Sequence, residues 1–94
     1  MERFLVRIEL HSARSMKDYE LLHDEMEARG FRCTITSSDG ITYHLPPAEY
    51  SCVGDADKSV ILNEAKKAAE ATGHDYGVVV CQGQSVWFGL VPVK

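Results

Sequence analysis

The sequence predicts an α+β fold in which two amphipathic helices lie on one face of an antiparallel sheet. Three observations predict it. "RFLVRIEL" (3–10) alternates apolar and polar residues with period two, and "SMKDYELLHDEMEARG" (15–30) switches to spacings of three and four. "FRCTITSSDGITYHL" (31–45) then has the shape of a hairpin around a turn.

The first strand presents Phe4, Val6, Ile8 and Leu10 on one side and Leu5, Arg7 and Glu9 on the other, with His11 continuing the second side. The first helix aligns Met16, Tyr19, Leu22 and Met26, with Ser15 as N-cap and Gly30 as its stop. His23 falls beside Leu22 at the rim of this stripe and reads as a boundary side chain.

The register of the hairpin follows from its residues. A two-residue Asp39-Gly40 loop would set Ile35 opposite His44, mixing polar and apolar residues on each face. A three-residue loop, Ser38-Asp39-Gly40 with Gly40 left-handed, sets Ile35 opposite Tyr43, Thr36 opposite Thr42 and Thr34 opposite His44. Only the second keeps one face apolar, so it is the expected register, and it turns His44 away from the core. Pro46 and Pro47 cannot donate to a ladder and should end or bend that strand.

"DADKSVILNEAKKAAEATG" (55–73) reads as the second helix, capped by Asp55 or Asp57 and stopped by Gly73. Its stripe is Ile61, Leu62, Ala65, Ala68 and Ala69, and the alanines predict a close approach to the sheet. "DYGVVVCQGQSVWFGLVPV" (75–93) predicts two more strands, Tyr76 to Cys81 and Val86 to Val91, joined by Gln82-Gly83-Gln84. The expected core is Phe4, Val6, Ile8, Tyr19, Leu22, Met26, Cys33, Ile35, Tyr43, Ile61, Ala65, Ala68, Val78 and Val80.

The order is β-α-β-β-α-β with an extra C-terminal strand, the ferredoxin-like sandwich plan, with strand order 4-1-3-2 expected from the right-handed crossover rule. The 94 residues, 45% hydrophobic and 26% charged, predict a single domain over 1–94. No apolar run reaches the ~20 residues of a membrane span. "MERFLVRIEL" also lacks a signal peptide's pattern, so a cytoplasmic chain without membrane contact is expected. Cys33, Cys52 and Cys81 are odd in number and widely spaced with no C-x-x-C pair, which argues against a disulfide framework or zinc site and for a reducing compartment. A formal net charge of −4 argues against nonspecific coating of nucleic acid and leaves room for a local basic patch.

On this plan the open sheet face carries Arg7, Glu9, His11, Arg32, Thr34 and His44. Strands one and three are central neighbours in the 4-1-3-2 order, which would bring Arg7 and Glu9 beside His44. An imidazole there can take the 2′-hydroxyl proton of RNA while a guanidinium offsets charge on the phosphate. His44, Arg7 and His11 are therefore the candidate catalytic residues, with Arg32 and Arg7 as RNA-binding residues and His11 and Arg32 positioning phosphate. A solvated polar face with ordinary cross-strand pairs is the competing reading. Glu9 and His11 with His44 would be a sparse ligand set, so no metal and no other cofactor is expected. A glycine-rich phosphate loop, a nucleophile elbow and paired base-stacking aromatics are all missing from the sequence. His74 reads as a loop residue.

Four segments taken together, "RFLVRIELH" (3–11), "DYELLHDEMEARGF" (18–31), "YHLPPAEY" (43–50) and "AKKAAEATG" (65–73), resemble a family of short bacterial and phage-associated proteins. That family is grouped with the GhoS antitoxin, the endoribonuclease partner of a type V toxin–antitoxin system. The resemblance covers most of the chain, and "YHLPPAEY" is its most distinctive piece. It implies a ferredoxin-like fold similar to the CRISPR-associated Cas2 proteins and an RNase that cuts the messenger of a small membrane toxin. Cas2-like nucleases usually end strand one with an aspartate, where this chain has Glu9 and His11.

The alternative is a non-catalytic homodimeric module that binds a protein or nucleic-acid partner. A last strand with Trp87 and Val91 on one side and Phe88 and Leu90 on the other is a poor edge to leave in water. It predicts a homodimer formed through residues 85–93.

Overall fold

The structure is a computed structural model and describes residues 1–12 and 15–94. It is α+β, with two helices, a three-stranded antiparallel sheet and a separate two-stranded one. In chain order the elements are β1 (Glu2–Leu10), α1 (Met16–Ala28), β2 (Thr34–Thr36), β3 (Thr42–His44), β4 (Glu49–Gly54), α2 (Lys58–Glu70) and β5 (Tyr76–Gln82).

β1 is the central strand. It pairs antiparallel with β4 on one side, Val6 opposite Tyr50, and with β5 on the other, Val6 opposite Val80. Its alternation sends Phe4, Val6, Ile8 and Leu10 inward, each 4% exposed or less. Val6, Ile8 and Leu10 meet Leu22 and Met26 of α1 and Ala65, Ala68 and Ala69 of α2 in a single buried cluster. The alanines let α2 approach closely, as their size requires.

Both helices begin and end where their punctuation places them. Asp57 caps α2 by accepting from the Ser59 amide at 2.7 Å, whereas Ser15 occupies the α1 cap position without a side-chain bond. After α1, Gly30 takes φ +87°, its N–H reaches the Glu27 carbonyl and the Phe31 N–H reaches the Met26 carbonyl. This is a Schellman motif. It brings Phe31 back against the helix, and both Phe31 and Met26 lie in the buried cluster.

The β2–β3 hairpin has the register its residues dictate: Thr34 opposite His44, Ile35 opposite Tyr43, Thr36 opposite Thr42. Gly40 is left-handed at φ +89°, and the Ser37 amide closes the three-residue loop on the Ile41 carbonyl at 2.8 Å.

Three expectations need correction. First, the strand beside β1 is β4, not the strand that carries His44. The chain turns at Pro46 to Glu49, with Ala48 left-handed at φ +64°, and starts a new strand whose inward Tyr50 is only 1% exposed. Second, no strand forms over Val86 to Val91. Gly89 turns there at φ +79°, and a Tyr43–Pro92 bridge follows, flanked by the His44 N–H to Val91 and Val93 N–H to Thr42 bonds. Third, Cys33 is exposed and Ile35 and Tyr43 are half-buried outside the main cluster; Phe31 and Tyr50 take their places in the core.

No helix among the described residues is long and apolar enough to cross a membrane.

Candidate nucleic-acid interface

Residues opposite one another in an antiparallel pair point to the same side of the sheet. The outward face of the three-stranded sheet therefore carries Arg3, Leu5, Arg7 and Glu9 of β1, flanked by Val53, Ser51 and Glu49 of β4 and by Cys81, Val79 and Gly77 of β5. Arg7 is exposed on this face between Glu49 and Val79. Glu9 and His11 meet there, with Nδ1 of His11 3.2 Å from Oε1 of Glu9, and the His11 amide is tied to the Asp75 carbonyl at 2.7 Å.

His44 is exposed, as the register requires, but it belongs to the smaller sheet. Its cross-strand partner is Thr34, and its amide bonds the Val91 carbonyl at 2.9 Å. The pairing of strands thus brings His11 to Glu9 and leaves His44 in a different sheet from Arg7. Among the described residues no three His, Cys, Asp or Glu side chains gather to hold a metal ion, and the Glu9, His11 and His44 trio is not assembled.

Arg32 lies where the two sheets join. Its backbone pairs with Ser51 through two bonds of 2.8 and 2.7 Å, and Ser51 Oγ donates to the Thr34 carbonyl at 2.6 Å. This stitch closes a groove of about 420 Å³ between β4 and the hairpin. Arg3 and Arg32 are two of its walls, the hydroxyl-bearing Thr34, Thr42 and Ser51 line it, and Trp87 lies at its C-terminal side. The Trp87 ring is fixed edge-on against Tyr43, with centroids 5.7 Å apart and planes at 67°. Guanidinium groups, hydroxyls and an indole are the groups that hold phosphates and stack a base.

A second cavity of about 430 Å³ adjoins it and shares Gly30, Arg32 and Thr34 with the groove. Its walls include His23 and Glu27 of α1, and its floor is Phe31 and Tyr50. The Tyr50 hydroxyl is hydrogen-bonded to Nδ1 of His23. Burial, then the neighbouring Cys33 and Tyr19, pushes the Tyr50 phenol well above its ordinary range, so it stays protonated.

Arg3 and Tyr50 are site residues that the sequence does not single out, while His23 reads there as a boundary side chain and Trp87 as part of a dimer edge. Arg3 shares the parity of Arg7, which is a signal; nothing local marks Tyr50.

No protein-family model matches the chain, and no curated protein matches it. The likeness to the GhoS-type family rests on the four sequence segments alone.

Proposed function

We propose that the chain is a ferredoxin-like module that binds single-stranded RNA in the groove between β4 and the hairpin. The observation that carries this is the convergence of Arg3, Arg32 and Trp87 on one groove lined with hydroxyls. The guanidiniums take two phosphates and the indole stacks a base, a combination that tolerates any sequence. The net charge of −4 is spread elsewhere, so binding is local to the groove and not a general coating. The ferredoxin-like reading is supported by β1 lying between β4 and β5, with the Arg32–Ser51 bridge placing the lead-in to β2 beyond β4. In this reading β5, β1, β4 and β2 would stand as strands 4, 1, 3 and 2, with β3 set aside as the hairpin's return.

The resemblance extends binding to cutting: an endoribonuclease antitoxin acting on the messenger of a small membrane toxin, with Arg7, His11 and His44 as its proposed catalytic groups, His44 acting from the hairpin and not beside Arg7. Titration of short single-stranded RNA, read by quenching of the single tryptophan, tests the binding. Incubation with total RNA, with and without EDTA, tests the cutting. Saturable quenching is expected; an unchanged Trp87 signal at near-millimolar RNA would remove the proposal.

A second reading has its own observation. Val86 and Phe88 are each 99% exposed, and Val91 is 65% exposed. Large apolar side chains this bare in one short segment mark a surface meant for a partner. The outer edge of β5 carries no strand among the described residues. Residues 85–93 are accordingly proposed to make a homodimer, which is compatible with RNA binding and is the whole function if the chain cuts nothing.

A further inference from the structure

The cavity beneath α1 is a separate chemical environment from the groove it adjoins. His23 and Glu27 are four residues apart on α1, so they share a helix face, and both line the cavity. The Tyr50 hydroxyl belongs to a residue 1% exposed, and His23 is its hydrogen-bond partner. With the Tyr50 hydroxyl donating to Nδ1, the His23 tautomer is the one that carries its ring proton on Nε2. In that tautomer the cavity offers an N–H donor from His23, a carboxylate acceptor from Glu27 and the guanidinium of Arg32, with Phe31 and Tyr50 also lining it. Its volume of about 430 Å³ is enough for a nucleobase.

We propose that this cavity takes one unstacked base of the RNA lying in the groove and selects guanine. The inference rests on the RNA-binding reading above, because Arg32 is the wall common to cavity and groove. Guanine alone among the four bases presents two adjacent donors, N1–H and the N2 amino group, which a carboxylate takes as a fork. Its O6 and N7 are acceptors for His23 Nε2–H and Arg32. Adenine and cytosine turn a ring-nitrogen lone pair toward the Glu27 carboxylate. Uracil offers it a single N–H flanked by two carbonyl oxygens. A polar site built for donors rejects a base that leaves it unpaired. Single-stranded RNA is read in this way, with bases splayed out and bonded along their Watson–Crick edges.

The test uses the intact protein and four five-nucleotide RNAs, uridines with G, A, C or U at the centre, titrated by fluorescence anisotropy. The G-centred RNA is expected to bind about ten-fold tighter or more, as one good bidentate pair discriminates. In Glu27→Gln, which replaces one acceptor by a donor, the G-to-U ratio should collapse toward one. Guanosine monophosphate supplies a second arm. Cys33 is exposed and lines the cavity, whereas Cys81 is exposed on β5. The mononucleotide should slow alkylation of Cys33 by iodoacetamide and leave Cys81 unchanged, and uridine monophosphate should do neither. Equal affinity for all four RNAs with no protection of Cys33 overturns the inference and leaves RNA binding standing. If no RNA binds at all, the groove reading falls, and the mononucleotide arm alone upholds or overturns the pocket.

Discussion

The hydroxyl of Tyr50 on β4 is bonded to Nδ1 of His23 on α1, and the two rings lie 5.5 Å apart, tilted at 60°. This contact ties the strand beside β1 to the helix that covers it. Removing the hydroxyl in Tyr50→Phe keeps the buried ring and loses one net hydrogen bond, about 1 kcal/mol. Tyr50→Ala also empties the core position and should cost about 3–5 kcal/mol. Urea unfolding of both variants measures the two terms. A Phe variant as stable as wild type would show that the bond contributes no net stability to the fold.

The backbone after α1 makes a sharper demand. Gly30 sits at φ +87°, and nothing lies within 4 Å of where a Cβ would stand. Gly30→Ala therefore pays only for the left-handed backbone, about 1 kcal/mol, while Gly30→Asn should lose less because asparagine tolerates that region. Equal stability of all three proteins would mean that the Schellman turn rearranges without cost.

The Asp57 cap sets a pH dependence. Its carboxyl is held below the ordinary range, first by the Ser59 amide and then by the Ser59 hydroxyl. A group depressed in the folded state contributes stability above its unfolded value, about 3.9, and loses it as pH falls through the lower folded value. Asp57→Asn keeps a capping oxygen without the titration. The gap in melting temperature between wild type and this variant should be constant from pH 8 to 5 and should shift against wild type below about pH 4. A gap that does not move with acid would exclude Asp57 as a contributor.

Much of this fold can be read from the residues, and the exceptions have physical causes. The hairpin register was determined because only one pairing keeps Ile35 and Tyr43 on a common face, and a one-residue slip inverts both strands. The helix limits followed from Asp57, Gly30 and Gly73, residues whose backbone or side-chain chemistry acts locally. β4 was not legible. "EYSCVG" places one large apolar residue, Tyr50, among small and polar ones, and its strand character comes from pairing with β1, a long-range fact. Val86 to Val91 erred the other way: despite strong β propensity the segment turns at Gly89 and meets β3 only from Val91 onward, and no strand forms. The groove escaped for the same reason as β4. Arg3 and Arg32 are far apart in sequence, and the Arg32–Ser51 bridge and the Ser51 Oγ–Thr34 bond join their surroundings.

The groove predicts a salt signature. Each guanidinium that neutralises a phosphate releases counterions, so Arg3→Ala and Arg32→Ala should each weaken RNA binding and reduce the log K against log salt slope by about 1. Arg7→Ala, on the open face outside the groove lining, should leave the slope unchanged if binding is confined there. A slope lowered by Arg7→Ala and not by Arg3→Ala would move the RNA path onto the face that carries Arg7, Glu9 and His11, where the candidate catalytic residues Arg7 and His11 lie.

The exposed C-terminal segment predicts the assembly. Val86 and Phe88, each 99% exposed, gain nothing from the fold of one chain, and water contact with both is unfavourable by roughly 1.5–3 kcal/mol apiece relative to full burial. A two-fold pairing in which each chain's 85–93 segment meets its partner buries four such side chains at once. Light scattering at micromolar concentration should then give twice the chain mass of 10.5 kDa. Phe88→Glu should return it to the single-chain value, because a carboxylate in the interface would be desolvated without a partner. The helices and the main sheet should be unaffected, since Phe88 makes no part of the core cluster. A wild-type particle of single-chain mass would overturn the dimer, and a Phe88→Glu protein still at double mass would place the interface elsewhere, with the open edge of β5 and its exposed Val79 as the next surface to alter.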